Sequence, residues 1–509
     1  MQISKKYHYL LLGISLLLIS CNNKNLLPVP DIVNDSIILS GIIIDDRIDK
    51  EENSLTPEIS LFNPISGTPS TYAITVDNEG KFKIELPVET NPTMVAIWFG
   101  SESSVFAWLI KEEDSFLEIR FDKEGNINAN LSNSFQLSSY DMTEAANLFT
   151  KMELSPSPFH NSFYDKSFEE YTSAVNENMN YRISNALKEF PLISEPIKEF
   201  ITQEFRLILQ RSYMFSYSER ILESYRNTNP EELWDSYIAP PEPDKSYYSF
   251  LKELNLNDKR NIYTESAYRS VLNSILLNDT LGIPEINDTP IDIWIKEAAK
   301  TLGELVGFKK GFFYEQLAIR SYTRQFEYQS KPLTEQQKQN IKNYFKNKAI
   351  PEILFRENEK IEKIAKSLDL PVINSTLNLP DEQVFETILS KYAGKLVFMD
   401  FWATWCKPCI EAINEIKELK SELHGKDIVF VYITNPSSSE KIWEHRTQGI
   451  GGEHYYLSES QWDYISDHFD FSGIPTYLLF DKNGALKKKI TGYPGNDEMR
   501  TILTELMGF

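Results

Sequence analysis

The sequence predicts a multidomain chain with three fold classes in succession: an N-terminal antiparallel β-sandwich, a central all-α region and a C-terminal α/β layered domain. Three observations carry this expectation. Short alternating apolar runs fill residues 36–135, helical spacing of apolar residues dominates 140–368, and strand and helix signals alternate over 371–509. A length of 509 residues suits about three domains, and hydrophobic residues at 41% of the chain allow each a real core.

Ahead of the first domain, Lys5 and Lys6 precede the apolar run YLLLGISLLLIS, and Cys21 follows it directly. A basic start, a short apolar middle and a small residue before a cysteine read as a secretory signal over residues 1–20. The run falls short of the ~20 apolar residues that a membrane span needs. The tetrapeptide LISC, Leu18 to Cys21, resembles a bacterial lipobox. That resemblance implies cleavage before Cys21 and lipidation of this residue, whose several acyl chains give stable anchoring. Residues 21–35, polar and interrupted by Pro28 and Pro30, then read as a lipidated tether. The mature protein is expected in the cell envelope, lipid-anchored and facing the periplasm.

Residues 36–135 carry strand runs such as IILSGIII, KFKIELP and SFLEIRFD. In KFKIELP the alternation is strict, with Phe82, Ile84 and Leu86 on one face and Lys81, Lys83 and Glu85 on the other. The DNEG stretch at 77–80 supplies turn chemistry before it. No chemistry is legible here, and the expected role is that of a spacer or docking domain.

Residues 140–368 are helical, rich in Phe and Tyr, with breaks expected at APPEPD (239–244), GIPE (282–285), KPL (331–333) and Pro351. Thr334 and Gln337 have the spacing of a capping box. The aromatic stripes have two readings: they fill a core, as aromatic residues at helical spacing usually do, or they line a peptide-binding groove, which requires a contiguous exposed patch.

From 371 onward, KLVFMDFW reads as a buried strand broken by Asp400, and the stretch after it places Ile410, Ile413, Ile416, Leu419 and Leu423 along one helical face. DIVFVYITN is a second buried strand, SSEKIWEH and QWDYISDHF are helices, PTYLLFD with ALKKKITG is a hairpin, and DEMRTILTELM is a closing helix. A parallel pair followed by an antiparallel hairpin, with helices over the sheet, is an α/β layered fold.

The chain has three cysteines and a net charge of −22. Strong acidity removes the Lys and Arg footprint that nucleic-acid binding requires. Three cysteines cannot form a disulfide framework. A zinc site built on Cys406 and Cys409 needs two further ligands at short spacing, and the six histidines, among them His424, His445, His454 and His468, form no such pair. No metal or cofactor is implied. Cys406 and Cys409 instead stand where a strand hands over to a helix. Unpaired N–H groups and the helix dipole stabilise a thiolate at Cys406 there. Pro408 suits the first helical turn, and the spacing returns Cys409 toward Cys406 within one turn, so that Cys406 can attack a disulfide and Cys409 can resolve the product. Lys407 either favours the thiolate further or is an ordinary solvated lysine.

The segment DFWATWCKPC resembles the active site of thioredoxins, and most closely that of the envelope-anchored branch represented by TlpA and ResA; SGIPTYLLFDKNG, Ser472 to Gly484, is a second matching motif. The resemblance covers the last quarter of the chain. It implies a thioredoxin fold over 371–509, a redox-active disulfide between Cys406 and Cys409, and a cis proline at Pro475 packed against that pair. It also implies that Ile474 offers backbone hydrogen bonds to a bound peptide and that Trp405, Lys407 and Pro408 border the substrate site. Asp400 matches a buried thioredoxin carboxylate. Desolvation should raise its pKa, which suits a general base for Cys409; the alternative is that it caps a local polar network. A peroxiredoxin is disfavoured, since Thr404 stands only two residues before Cys406.

The expected function is that of a lipid-anchored thiol:disulfide oxidoreductase that reduces protein disulfides, with GIPT as the feature favouring reduction. Its partners would be protein thiol or disulfide substrates and a membrane electron carrier of the DsbD or CcdA type. The alternatives are a disulfide oxidase or isomerase, or a binding lipoprotein whose redox pair gates a partner.

Overall fold

The computed structural model describes residues 27–47, 57–67, 70–100, 103–135, 137–155, 163–367, 370–376 and 379–508. The signal segment 1–20 and Cys21 lie outside the described residues. No helix among those described is long and apolar enough to cross a membrane.

The N-terminal region is β-rich. Its strands are β1 (Asp31–Asp45), β2 (Glu58–Leu61), β3 (Ser70–Ala73), β4 (Lys81–Asn91), β5 (Thr93–Phe99), β6 (Ser103–Leu109), β7 (Ser115–Phe121) and β8 (Ile127–Ser132). They form two four-stranded sheets, ordered β4-β1-β7-β8 and β3-β2-β5-β6. Leu39, Leu86, Val95, Ile97, Leu117 and Ile119 belong to one buried cluster. The alternation in β4 holds: Phe82 and Leu86 are buried while Lys81, Lys83 and Glu85 face solvent. Two features depart from expectation. β1 begins at Asp31, inside the stretch read as tether, because Asp31 and Ile32 pair with Asn91 and Thr90 of β4. β1 and β7 also run parallel, so the first sheet is mixed rather than wholly antiparallel.

The central region is helical: α1 (Ser139–Leu154), α2 (Phe168–Glu189), α3 (Glu195–Met214), α4 (Tyr217–Thr228), α5 (Glu265–Leu277), α6 (Ile291–Val306), α7 (Phe312–Gln329), α8 (Glu335–Tyr344) and α9 (Ala349–Ser367), with 3-10 segments between α4 and α5. About half of its described aromatic residues are buried in the core, Tyr171, Phe205, Tyr247, Phe313 and Tyr322 among them. Tyr171 packs edge-on against Tyr217 at 5.1 Å, and Tyr217 against Tyr247 at 5.8 Å. The capping box before α8 forms as spaced: Gln337 N–H donates to Thr334 Oγ1 and Thr334 N–H to Gln337 Oε1, both at 3.0 Å. Pro351 does not break a helix. It sits in the first turn of α9, where a missing N–H leaves no bond unmade.

The C-terminal elements are β9 (Pro371–Asn374), α10 (Asp381–Ser390), β10 (Leu396–Phe401), α11 (Lys407–Glu422), β11 (Ile428–Thr434), α12 (Glu440–Thr447), β12 (Gly452–Tyr456), α13 (Glu459–His468), β13 (Thr476–Phe480), β14 (Leu486–Thr491) and α14 (Asn496–Met507). They build a six-stranded sheet, β14-β13-β10-β11-β12-β9. β10, β11, β12 and β9 run parallel, and β13 and β14 close the other side antiparallel. Every residue of β10 is buried because helices cover both faces. Phe398, Tyr432 and Tyr477 share one cluster with Cys409, Ile413 and Leu503 from α11 and α14. Met399, Val431 and Leu478 share another with Val384 and Ile465 from α10 and α13.

The chain forms two compact units, and their boundary does not follow the end of the helical region. One unit runs to Arg320 and includes Ile341–Ile353; the other joins Ser321–Asn340 to Leu354–Phe509. The second unit therefore takes the end of α7, the start of α8 and most of α9 along with the thioredoxin-like sheet.

Candidate redox site

β10 ends at Phe401, and residues 402–405 turn the chain into α11 at the carboxyl edge of the parallel strands. Cys406 is the N-cap of α11, and its Sγ accepts the Cys409 N–H at 3.2 Å. The helix has no side-chain oxygen at this position, so a sulfur takes one of its otherwise unpaired donors. Pro408 occupies the first turn. Cys406 and Cys409 are joined as a disulfide with their Cα atoms 5.3 Å apart. Both are buried. The apolar stripe places Ile413, Ile416, Leu419 and Leu423 in the core.

The Ile474–Pro475 peptide bond is cis. The loop containing it meets the cysteines, with the Ile474 carbonyl oxygen 3.8 Å from Cys406 Sγ. Trp405 is 63% exposed and donates its indole N–H to Ser437 Oγ at 3.0 Å. Thr404 N–H donates to Ser438 Oγ at 3.0 Å, and Ser438 Oγ also bonds Thr434 Oγ1 at 2.9 Å. The serines that follow β11 thus hold the turn that presents Cys406. Sequence reasoning missed them, although a run of three serines just after a buried parallel strand was a signal, since sites in α/β sheets collect there. Lys407 points to solvent and lies 3.6 Å from Glu411 one turn on.

Asp400 alternates onto the same face of the sheet as Phe398, the face covered by α11. It is 1% exposed and its Oδ1 has no hydrogen-bond partner. Burial raises its pKa well above the ordinary carboxylate value. The strand register sets Tyr432 on one side of it and Tyr477 on the other. Both phenols are pushed up by burial and by the Asp400 charge. Neither tyrosine was singled out in the sequence; each reads there as one more core aromatic, and only the register sets it beside the carboxylate.

A lysine farther along α11 is also buried. Lys417 Nζ donates to the Glu327 carbonyl oxygen in the last turn of α7 at 3.1 Å, and burial followed by the nearby Arg446 lowers its pKa to about 7. Arg446 stacks its guanidinium 4.4 Å above the Tyr328 ring. Gly449 passes so close to the Tyr328 carbonyl that a Cβ would overlap it.

A strand-to-helix turn capped by a disulfide-bonded cysteine, beside a cis-proline loop and a buried carboxylate, defines a thioredoxin-like domain, and a family profile described as thioredoxin-like matches residues 394–486. Over 130 residues the chain is 34% identical to the thiol-disulfide oxidoreductase ResA of Geobacillus kaustophilus (strain HTA426), covering 25% of this chain and 72% of that protein. Over 135 residues it is 30% identical to ResA of Bacillus subtilis (strain 168), covering 26% and 70%. Among solved structures, a thiol:disulfide interchange protein of the thioredoxin family from Chlorobium tepidum TLS aligns at 23% identity, over 23% of this chain and 84% of that one, with a TM-score of 0.22. Through its C-terminal quarter the chain belongs to the ResA-like family of thiol-disulfide oxidoreductases.

Proposed function

We propose that the protein is an envelope thiol:disulfide oxidoreductase, anchored through lipid on Cys21, that reduces protein disulfides with Cys406 and Cys409. The observation that carries this reading is the Cys406–Cys409 disulfide at the head of α11, with the Cys406 sulfur already accepting a backbone N–H. In the dithiol form the same N–H and the helix dipole favour thiolate at Cys406 over thiolate at Cys409.

The cycle starts from the reduced pair. The Cys406 thiolate attacks one sulfur of a substrate disulfide, and the other substrate sulfur leaves as thiolate and takes a proton. Asp400, ionised, accepts the Cys409 proton. The Cys409 thiolate then attacks Cys406 Sγ, the mixed disulfide breaks, and the second substrate thiol is released. Two electrons have passed to the substrate and the Cys406–Cys409 disulfide remains. A membrane dithiol carrier of the DsbD or CcdA type returns those electrons. Ile474, Pro475, Trp405 and Pro408 border the exposed side of the pair and form the peptide platform, with Lys407 at its solvent rim.

Substitution of each cysteine tests the assignment. Cys406→Ser should abolish disulfide reduction, whereas Cys409→Ser should accumulate mixed disulfides with native substrates, since attack survives and resolution does not. Capture by Cys406→Ser but not by Cys409→Ser would reverse the roles. The equilibrium potential of the pair against glutathione then fixes the direction of electron flow: reductants and oxidants of this fold differ by more than about 100 mV, and a value on the oxidant side rejects the reductase reading.

A further inference from the structure

The compact unit that runs to Arg320 holds a cleft that the redox chemistry does not use. Along β5, Val95, Ile97 and Phe99 enter the sandwich core, so Met94, Ala96 and Trp98 face the other way. The register sets Ser60 of β2 and Phe106 of β6 on either side of Ala96. One end of this outer face is covered, since Trp108, opposite Met94, is buried against Phe200 of α3 and Tyr263. The other end stays open. There Trp98 is 37% exposed and meets Phe106 edge-on at 6.5 Å.

Small side chains at Ser60 and Ala96 leave a trough between this sheet and helices α1 and α3, with a volume of about 770 Å³. That lies within the range of about 300–1,000 Å³ seen for ligand clefts. Its charge is one-sided: Glu144 of α1 and Glu204 of α3 line it, and no lysine or arginine does so among the described residues. The Glu144 carboxylate is steadied by the Asn147 amide at 2.9 Å.

We infer that this trough takes a peptide segment of a partner protein in which an apolar or aromatic side chain stands next to lysine or arginine. The apolar side chain lies over Ser60 and Ala96, between Trp98 and the helices. The cation meets the Glu144 carboxylate and the exposed part of the Trp98 indole, whose ring quadrupole attracts it. The open end favours a peptide over a small molecule, since small-ligand pockets enclose most of their guest. This inference is independent of the redox assignment.

Fluorescence anisotropy with the full chain tests it, using a labelled, end-blocked hexapeptide Ala-Lys-Phe-Leu-Lys-Ala and a matched peptide carrying Glu in place of both Lys. The basic peptide should bind saturably and more weakly as salt rises. Trp98→Ala should weaken it about tenfold, and Glu144→Gln about threefold. Both side chains reach solvent, and melting curves matching the unaltered protein verify that each variant is folded. Equal binding of the acidic peptide, unchanged affinity in both variants, or no saturable binding overturns the inference. Competition by phenylalanine amide at the same concentration as by the unlabelled peptide assigns the trough to a small cation and also overturns it.

Discussion

Asp400→Asn removes one proton from the centre of the site, and two separate measurements should report that loss at the same pH. In the unfolded chain Asp400 releases its proton near the ordinary carboxylate value of 3.8, whereas burial in the folded protein raises that value well above it. Between those two pH values the folded state binds the extra proton, so stability falls as pH rises. The slope is about 1.4 kcal/mol per pH unit while only the folded state holds the proton. Asparagine has nothing to release, so the stability advantage of Asp400→Asn over wild type should be near its minimum at acid pH. It should climb with that slope and flatten at the folded-state pKa. Two pH units inside the window amount to about 3 kcal/mol, or roughly 5–10 °C in melting temperature for a unit of this size. Insulin reduction by the wild type should rise through the same flattening point, because only ionised Asp400 takes the Cys409 proton. The asparagine variant should lack that rise and turn over about a hundredfold more slowly once wild-type Asp400 is ionised. Melts and rates must be taken with the cysteines reduced, so that both describe one state. A difference curve that is flat with pH, together with an unchanged pH–rate profile, would refute the reasoning and make Asp400 a structural residue.

Three further outcomes are expected. Mass spectrometry of the mature N-terminus should find lipid on Cys21; an unmodified residue or a cut elsewhere rejects the anchor. Lys417→Met should stabilise the unit by on the order of 1–4 kcal/mol near neutral pH, since a buried cation is exchanged for an apolar chain of similar length. Its folded pKa of about 7 lies below the ordinary lysine value of 10.5, so the wild type gains stability as pH rises from 7 toward 10.5 and the advantage of Met should shrink over that range; a constant advantage in melts across pH 6–10 rejects this. Gly449→Ala should lower stability by about 1–3 kcal/mol, because the new methyl overlaps backbone at Tyr328, which cannot swing aside as a side chain would. An unchanged melt would mean that the Tyr328 segment is not held there.

The parts of the fold legible in the sequence are those whose signal is local. The continuous apolar run of β10, short and leading into a turn, reads as a strand covered on both faces, and the stripe from Ile413 to Leu423 reads as a helix face. The cysteine spacing likewise set Cys406 at a helix start. What was not legible depends on partners distant in sequence. β1 extends back to Asp31 only because β4 is long enough to pair with it, and its parallel neighbour β7 lies over 70 residues away. β9 and β12 are short, of four and five residues, and their pairing with each other and with β11 defines them. At the site, Asp400 announced itself as a charge in an apolar strand, while Tyr432 and Tyr477 look like any core aromatic until the register aligns them with it.

Lys417 illustrates the limit most sharply. In the sequence it is one of two lysines in the mixed-charge stretch EIKELKSEL, and nothing there distinguishes it from a solvated side chain. It is buried because the last turn of α7, nearly 90 residues earlier, presents the Glu327 carbonyl to it. A lysine amine is suited to that contact, because it donates to a carbonyl at a helix C-terminus, where backbone oxygens carry negative partial charge. Arg446 on Tyr328 and Ser330 Oγ on the Gly449 carbonyl, at 2.9 Å, fasten the same segment. The helix that begins at Cys406 is thus held a few turns later by a piece of the helical region. A truncation at Pro371 would remove that piece and leave Lys417 without its carbonyl, so the smallest stable oxidoreductase unit should begin within α7 rather than at the first strand of the thioredoxin-like sheet.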